Sequence, residues 1–197
     1  MTQSTAKSGP DSLIAAAKAA QKEGKLPPVH LWDPPFCGDL DMEIRRDGTW
    51  FYDGTPIGRK PLVRLFSTIL KLEEGKYFLV TPVEKVGIRV EDAPFVAVDL
   101  EAAGDGPDQV ITFQTNVGDT VVADADHAIR VVRDAEGEPS PYIHVRAGLE
   151  ALIDRKSFYR LVDLGEAHPH GGKDWFGVWS AGVFFPIIPV DELELDP

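Results

Sequence analysis

Residues 37–82 constrain the fold more than any other stretch, because they combine a hairpin, a helix and a strand in one run. Polar and apolar residues alternate before Asp47-Gly48, and strand-forming residues follow it, which predicts two antiparallel strands joined by a tight turn. After Gly58 the apolar residues recur at helical spacing, and a strand-like run follows Gly75. We therefore expect an α+β fold in which a helix packs on a small antiparallel sheet. The apolar face of the helix consists of Leu62, Leu65, Phe66, Ile69 and Leu70.

Charge and composition narrow the classes of function. The chain has 197 residues, a formal net charge of −12 and one cysteine. This acidity argues against binding to polymeric nucleic acid, which depends on Lys and Arg displacing counterions, but one or two arginines can still hold a small anion. No apolar run reaches the length of a membrane span, and the N-terminus lacks the apolar region of a signal peptide. We therefore expect a cytoplasmic protein without membrane association.

The N-terminal region is predicted to contain one helix and an extended connector. Asp11 or Ser12 caps a helix that ends near Gly24, and the residues before it are unpatterned. Residues 26–36 are rich in proline, which favours an extended connector that packs Trp32 into a groove. A proline-rich recognition segment for a partner protein is the alternative.

A series of short strand patterns between residues 86 and 146 indicates an antiparallel meander. His168-Pro-His170 is interpreted as a polar loop, because a metal site needs a third or fourth ligand that the neighbouring sequence does not offer. The predicted organisation is an N-terminal tail and helix (1–30), a first α+β domain (31–88), a second α+β domain with a meander, a helix and a hairpin (89–190), and an acidic tail (191–197).

A short motif occurs twice in the chain. Arg59-Lys-Pro-Leu-Val-Arg-Leu is echoed by Arg155-Lys-Ser-Phe-Tyr-Arg-Leu, and a Gly-Lys pair follows each copy, at Gly75 and at Gly172. Either the chain is duplicated or two amphipathic helices share these residues by chance. Duplication predicts two similar small domains, each an antiparallel sheet or partial barrel packed with a helix, preceded by the N-terminal helix.

Five strings of residues carry a family resemblance. They are Pro35-Phe-Cys-Gly-Asp-Leu-Asp-Met-Glu-Ile, Asp47-Gly-Thr-Trp-Phe-Tyr-Asp-Gly-Thr-Pro-Ile-Gly-Arg, Leu62-Val-Arg-Leu-Phe-Ser-Thr-Ile-Leu, Leu79-Val-Thr-Pro-Val-Glu-Lys-Val and Val90-Glu-Asp-Ala-Pro-Phe. Together they closely resemble the bacterial domain-of-unknown-function family numbered 1285, and the likeness extends from Trp32 to Pro189. The resemblance implies two domains with repeated structural motifs, and an interdomain cleft that takes a nucleotide-like ligand, in signalling. It brings no established activity and no catalytic residues.

The starts of the two predicted helices supply the candidate ligand-binding residues. A phosphate needs cationic donors and is stabilised at a helix N-terminus, and a base needs a flat apolar surface. Arg59 and Lys60 begin one helix, and Arg155 and Lys156 begin the other. These four cations face one cleft if the halves are related by a pseudo-twofold axis; otherwise they are solvated or pair with carboxylates. The aromatic candidates for stacking are Trp50, Tyr52 and Trp175.

The primary hypothesis is therefore a regulatory protein that binds a small phosphorylated or nucleotide-like anion. The first alternative is an enzyme acting on a phosphate-bearing metabolite, with Asp39, Asp41 or Cys37 in the chemistry. The second is a protein–protein interaction module that uses Trp32 or the acidic tail. No cofactor, metal site or catalytic residue is predicted, and the oligomeric state stays open.

Three of these side chains also have simpler interpretations. Cys37 is interpreted as a small buried hydrophobe, as most isolated cysteines are. Asp39 and Asp41 lie on one face of a strand, where they either bind a divalent ion or pair with Arg46, and pairing is the favoured interpretation.

Overall fold

The computed structural model describes residues 9–21 and 25–193, and the chain divides into two compact units between Asp92 and Ala93. We refer to them as the N-terminal unit and the C-terminal unit. Each contains a mixed β-sheet with helices, and a helix precedes the first sheet, which confirms the predicted α+β class. The predicted boundary at residue 88 falls inside a strand that runs from Lys85 to Val90.

The N-terminal unit is organised around a six-stranded sheet. Its elements are α1 (Pro10–Ala20), β1 (Phe36–Ile44), β2 (Trp50–Tyr52), β3 (Thr55–Pro56), α2 (Lys60–Thr68), β4 (Leu70–Glu73), β5 (Lys76–Val80) and β6 (Lys85–Val90). The strand order is β3-β2-β1-β6-β5-β4. Strands β1 and β6 pair in parallel and the other neighbours are antiparallel, so the sheet is mixed rather than purely antiparallel as predicted.

The predicted hairpin is confirmed. Ile44 pairs with Trp50 and Met42 with Tyr52, and the chain turns at Asp47-Gly48. The predicted helix is too long at its end, because α2 stops at Thr68 and Leu70 begins strand β4. Strand β4 pairs with β5 across a tight turn, in which Glu74 and Gly75 have φ values of 49° and 77°. This strand pairing outweighs the helical spacing that led to the assignment of Leu70 to the helix.

The core of the N-terminal unit lies between the sheet and its helices. Helix α1 packs against α2 and buries Leu13 and Ala17 completely. Trp50 of β2 is 1% exposed, and its ring stacks on Phe66 of α2 with centroids 6.2 Å apart. This stacked pair couples the hairpin to the helix that follows it.

The N-terminal helix differs from its prediction at its start. Its N-cap is Gly9, and Ser12 lies inside the first turn, where its hydroxyl donates to the Gly9 carbonyl at 2.9 Å. The helix ends at Ala20, and the predicted stop at Gly24 lies outside the described residues. Among the residues that the structure describes, no helix is long and apolar enough to cross a membrane.

The C-terminal unit has two sheets. Its elements are β7 (Phe95–Ala103), β8 (Val110–Thr115), β9 (Thr120–Val122), β10 (Ile129–Arg133), β11 (Pro139–Arg146), β12 (Leu149–Ile153), α3 (Arg155–Val162), β13 (Glu166–His170), β14 (Lys173–Ser180), β15 (Val183–Pro189) and α4 (Val190–Leu193). The six-stranded sheet has the order β10-β11-β12-β7-β8-β9, and β13-β14-β15 form the second sheet.

Buried polar groups join the two sheets of the C-terminal unit. Ser180 of β14 donates to the Ala123 carbonyl at 2.6 Å and accepts from the Ile111 amide at 2.9 Å. The Gln109 side chain donates to the Trp179 carbonyl at 2.8 Å. The predicted meander is right only in part, because β6 belongs to the N-terminal sheet and β9 and β10 lie at opposite edges of the six-stranded C-terminal sheet. Strand β12 was missed, and the predicted loop at His168 is instead part of strand β13.

Both six-stranded sheets share one topology. In each sheet, the first and the last strand pair in parallel at the centre. The two strands that follow the first strand in sequence extend the sheet on one side, and the two that precede the last strand extend it on the other. The helices do not correspond, since α2 lies between β3 and β4 whereas α3 follows β12. The repeated Arg-Lys motif therefore marks two helices at different places in the topology, and the repeat of the sheet begins at β1 and β7.

Candidate functional site

The outer face of the N-terminal sheet is polar along its central strand. In β1, Leu40, Met42 and Ile44 are buried, so the alternating residues between them point away from the core. Strand β6 lies beside it, with Gly87 opposite Asp39 and Arg89 opposite Glu43, and residues paired across strands share a face. The acidic side chains on this outer face of β1 are Asp39, Asp41 and Glu43.

A cavity of about 470 Å³ lies on this face over Gly87 of β6. Gly87 pairs with Asp39 on one side and with Phe78 on the other, so the missing side chain leaves a depression between two strands. We call this cavity the Gly87 hollow. The lining residues used below are Asp39, Glu43, Lys76, Phe78, Gly87, Arg89 and Glu91.

The floor of the Gly87 hollow is tightly built. A Cβ atom on Gly87 would lie 2.1 Å from Asp39 Oδ1 and 3.8 Å from a ring carbon of Phe36. The Phe36 ring meets Phe78 edge-on, with centroids 6.1 Å apart. Any side chain at Gly87 would therefore displace the Asp39 carboxylate from its present position, whereas the Phe36 ring is at ordinary contact distance.

One cation of the hollow is held in place by acids. Arg89 Nη2 lies 2.7 Å from Asp41 Oδ1 and 4.0 Å from Glu43 Oε2. The hydrogen bond that Arg89 donates to Asp41 raises the pKa of Arg89, so the guanidinium is permanently charged. Its side chain is 62% exposed, which leaves the remaining donors of the fork accessible. The Asp39 carboxylate, in contrast, has no hydrogen-bond or ion-pair partner within the described residues.

A second ionic cluster borders the aromatic floor. Glu73 accepts from Lys71 at 2.7 Å and from Lys85 at 2.8 Å, and Lys85 Nζ lies 5.0 Å from the centre of the Phe78 ring. The hydrogen bonds from Lys71 and then Lys85 hold the pKa of Glu73 below its usual value of 4.5. The cluster fixes the two lysines beside Phe78.

Stability should depend on Glu73 in a pH-dependent way. Because folding lowers its pKa, the contribution of Glu73 is present above its unfolded value near 4.5 and is lost as pH falls through the lower folded value. We expect Glu73→Gln to be less stable than wild type at pH 7 and the difference to shrink below pH 4.5. Urea unfolding of both proteins between pH 7 and pH 3 measures this. A pH-independent difference would contradict the ion cluster.

Arg59 and Lys60 lie at the start of α2, as the sequence predicts. Arg59 is the N-cap residue and Lys60 the first helical residue, and both are exposed. No side chain caps this helix, and neither cation has a carboxylate partner among the residues that the structure describes. Neither residue lines the Gly87 hollow.

The start of α3 is built differently. Asp154 caps the helix, and its Oδ1 accepts from the Ser157 amide at 2.8 Å, so a carboxylate already occupies the position that an anion would take. Arg155 and Lys156 follow it and are exposed, and Arg155 Nε donates to the Tyr159 hydroxyl at 3.0 Å. The expected convergence of the two Arg-Lys pairs stays a prediction.

Removing the Asp154 cap should destabilise the C-terminal unit. Asp154→Ala leaves the Ser157 amide without its acceptor, and loss of an N-cap costs about 1 kcal/mol. Asp154→Asn keeps a side-chain acceptor and is the matched control, with a smaller expected loss. Urea unfolding measures both, and equal losses in the two variants would show that the cap geometry is not responsible.

The predicted aromatic residues occupy other environments. Trp50 is buried against Phe66, so its ring lies in the core and away from any surface that a ligand reaches. Tyr52 and Trp175 are half-buried, in β2 and β14 respectively. The aromatic surface that the sequence analysis missed is Phe78, and the available signal was Gly87 within a strand pattern, which often marks a close approach of a ligand or backbone.

The remaining predicted side chains also have new surroundings. Asp41 pairs with Arg89, and Arg46 pairs with Asp92 at 2.6 Å, so the predicted pairing of Asp41 with Arg46 is wrong. Cys37 is exposed rather than buried. Within the described residues no group of three His, Cys, Asp or Glu side chains is arranged to hold a metal ion.

Comparison with known families gives two consecutive matches. The model described as the N-terminal domain of DUF1285, a domain of unknown function, matches residues 27–93. The model described as the C-terminal domain of DUF1285, a protein of unknown function, matches residues 94–187. No curated protein matches the chain.

Two crystal structures of DUF1285 family proteins are similar to this chain. The protein from Silicibacter pomeroyi DSS-3 is 64% identical, with a TM-score of 0.84 over 92% of this chain and 97% of that one. The protein from Shewanella baltica OS155 is 31% identical, with a TM-score of 0.50 over 63% of this chain and 91% of that one.

Proposed function

This chain belongs to the DUF1285 family, and we propose that its N-terminal unit binds a small phosphorylated or nucleotide-like ligand in the Gly87 hollow, in a signalling role. The observation that carries the proposal is the hollow itself, where an aromatic ring, two cations and an unpaired carboxylate surround a glycine. Its volume of about 470 Å³ falls within the range of about 300–1,000 Å³ that is usual for small-molecule sites.

The aromatic floor supports a ligand with a flat ring. Phe78 is half-buried, and the edge of Phe36 fixes its position. Offset stacking on such a ring is favourable for a nucleobase or a similar heterocycle. The glycine at the base of the hollow lets the ring approach the strand closely.

The mixed charges of the hollow select the ligand class. Arg89 and Lys76 supply donors for a phosphate, and Asp39 accepts hydrogen bonds from ring N–H or sugar hydroxyl groups. Glu43 and Glu91 add further negative charge, which disfavours a bare anion. We therefore expect nucleotides to bind more tightly than inorganic phosphate.

We propose binding rather than turnover at this site. Acid–base catalysis requires an oriented partner within hydrogen-bond reach of the reacting group. Within the described residues, Asp39 has no such partner, and Asp41 is engaged by Arg89. A regulatory binding protein therefore fits the hollow better than the enzyme alternative.

A thermal-shift screen tests the proposal. The four ribonucleoside monophosphates, their di- and triphosphates and inorganic phosphate are each added to the full chain. A ligand at a hundredfold excess over its Kd should stabilise the fold by about 2.7 kcal/mol, and phosphate alone should give a smaller effect. The double variant Arg59→Ala/Lys60→Ala is the control for location and should keep the shift. No shift with any nucleotide would overturn the proposal, and loss of the shift in this control would move the site to α2.

A further inference from the structure

A second cavity, of about 410 Å³, lies within the C-terminal unit between α3, the β10–β11 hairpin and strands β14 and β15. We propose that it binds a small amphipathic anion, with an apolar body in the cavity and a carboxylate or sulfonate head at Arg155. This site is separate from the Gly87 hollow and does not depend on the function proposed for it.

The body of the cavity is apolar. Its apolar side chains come from α3, from the second sheet and from α4, and several are only half-buried. Partly exposed apolar surface that is concave favours an apolar ligand, because binding removes that surface from water. The apolar lining residues are Phe158, Val162, Phe176, Ile187, Ile188 and Leu193.

The cation Arg155 lies on the same face of α3 as two of the apolar lining residues. Arg155, Phe158 and Val162 are spaced i, i+3 and i+7, so they lie along one face of the helix, with Arg155 one turn before the apolar pair. The neighbouring Tyr159 is 56% exposed and accepts a hydrogen bond from Arg155 Nε at 3.0 Å. Arg155 and Tyr159 are not lining residues, but a head group that extends past Phe158 along this face of α3 would meet the guanidinium fork and the Tyr159 hydroxyl.

The opposite wall of the cavity is pre-formed. Asp134 Oδ1 accepts from the amides of Glu136 and Glu138 at 3.0 and 2.9 Å, and Arg133 donates to the Gly137 carbonyl at 2.9 Å. These bonds fix the tip of the β10–β11 hairpin over the apolar floor. The acids of this wall, Glu136 and Glu138, disfavour small bare anions, so the apolar body must supply part of the affinity.

Arg155 is permanently protonated. The hydrogen bond to Tyr159 and the field of Glu138 raise its pKa, so it is cationic at every accessible pH. Among the residues that the structure describes, no carboxylate lies within ion-pair distance of Arg155. Its guanidinium is therefore available to a ligand head group.

Titration with 8-anilinonaphthalene-1-sulfonate, a fluorescent aromatic sulfonate, tests the site in the full chain. We expect saturable binding, displacement by decanoate, and a Kd about tenfold weaker in Arg155→Ala. Val162→Phe, which fills the cavity, should also lose binding. Lys156→Ala is the matched control, because it removes a neighbouring positive charge that lies on a different face of α3. This variant should bind the dye like wild type.

Three results would overturn the proposal. Equal weakening by Lys156→Ala and Arg155→Ala would indicate non-specific charge attraction. Unchanged binding in Val162→Phe, with its thermal unfolding like that of wild type, would place the dye elsewhere. Self-association in sedimentation velocity that the dye does not alter, together with no dye binding, would show that a second copy covers the apolar surface.

Discussion

Replacing Trp50 by alanine is expected to lower the free energy of unfolding by about 3–5 kcal/mol, the usual cost of deleting a large aromatic side chain from a core. Trp50 is 1% exposed and stacks on Phe66 at 6.2 Å with an interplanar angle of 16°, so the deletion leaves a cavity between β2 and α2. Urea unfolding monitored by circular dichroism measures the loss. The size of the effect separates a core residue from a ligand-stacking residue.

Trp50→Phe is the matched control for this prediction. It keeps an aromatic ring against Phe66, and the indole Nε1 has no hydrogen-bond partner within the described residues, so no hydrogen bond is lost. We expect it to be clearly less destabilising than alanine. If Trp50→Ala stayed as stable as wild type but lost nucleotide binding, Trp50 would be a ligand platform and its place in the core would be wrong.

Replacing Gly87 by valine is expected to weaken nucleotide binding by at least about tenfold, because the new side chain fills the floor of the hollow. Its Cβ would clash with Asp39 Oδ1, which lies 2.1 Å from the ideal Cβ position. Asp39 is exposed and short, so its carboxylate can rotate away. The change therefore removes both the space and the acceptor, and calorimetric titration with a nucleotide measures the loss.

Gly58→Val provides the control for Gly87→Val. A Cβ on Gly58 meets no atom within 4 Å, and Gly58 immediately precedes Arg59 at the start of α2. We expect this variant to bind like wild type and Gly87→Val to retain thermal stability close to wild type. Equal binding in all three proteins would show that the ligand does not use the hollow.

Local patterns in the sequence predicted most of the individual elements. The Asp47-Gly48 turn and the alternation around it predicted the β1–β2 hairpin, because turn chemistry and alternation act within a few residues. Leu70 was assigned to a helix, because its spacing fits α2 as well as it fits β4. Its strand state depends on pairing with Leu79, which is a tertiary contact.

Long-range pairing explains what the sequence did not reveal. Strand β12, residues Leu149–Ile153, has the composition of a helix as much as of a strand, and it becomes a central strand by pairing in parallel with β7. The parallel pairing of β1 with β6 is equally non-local. Neither leaves a signature within a window of a few residues.

The candidate site shows the same limit. Arg59 and Lys60 were recognised because cations at a helix start form a local pattern. The Gly87 hollow joins Asp39, Phe78 and Gly87 from three different strands, so its parts come together only through strand register. Register depends on the whole sheet, and a single residue of slip would turn these side chains to the other face.

The most direct test of the central claim is a ¹H–¹⁵N correlation spectrum of the labelled full chain, titrated with the ribonucleotide that gives the largest thermal shift. The hollow predicts saturable changes in the amide signals of Phe78, Gly87 and Arg89, with no comparable change at Lys60 or Leu62. Saturable changes confined to the start of α2, or to the C-terminal unit, would contradict it.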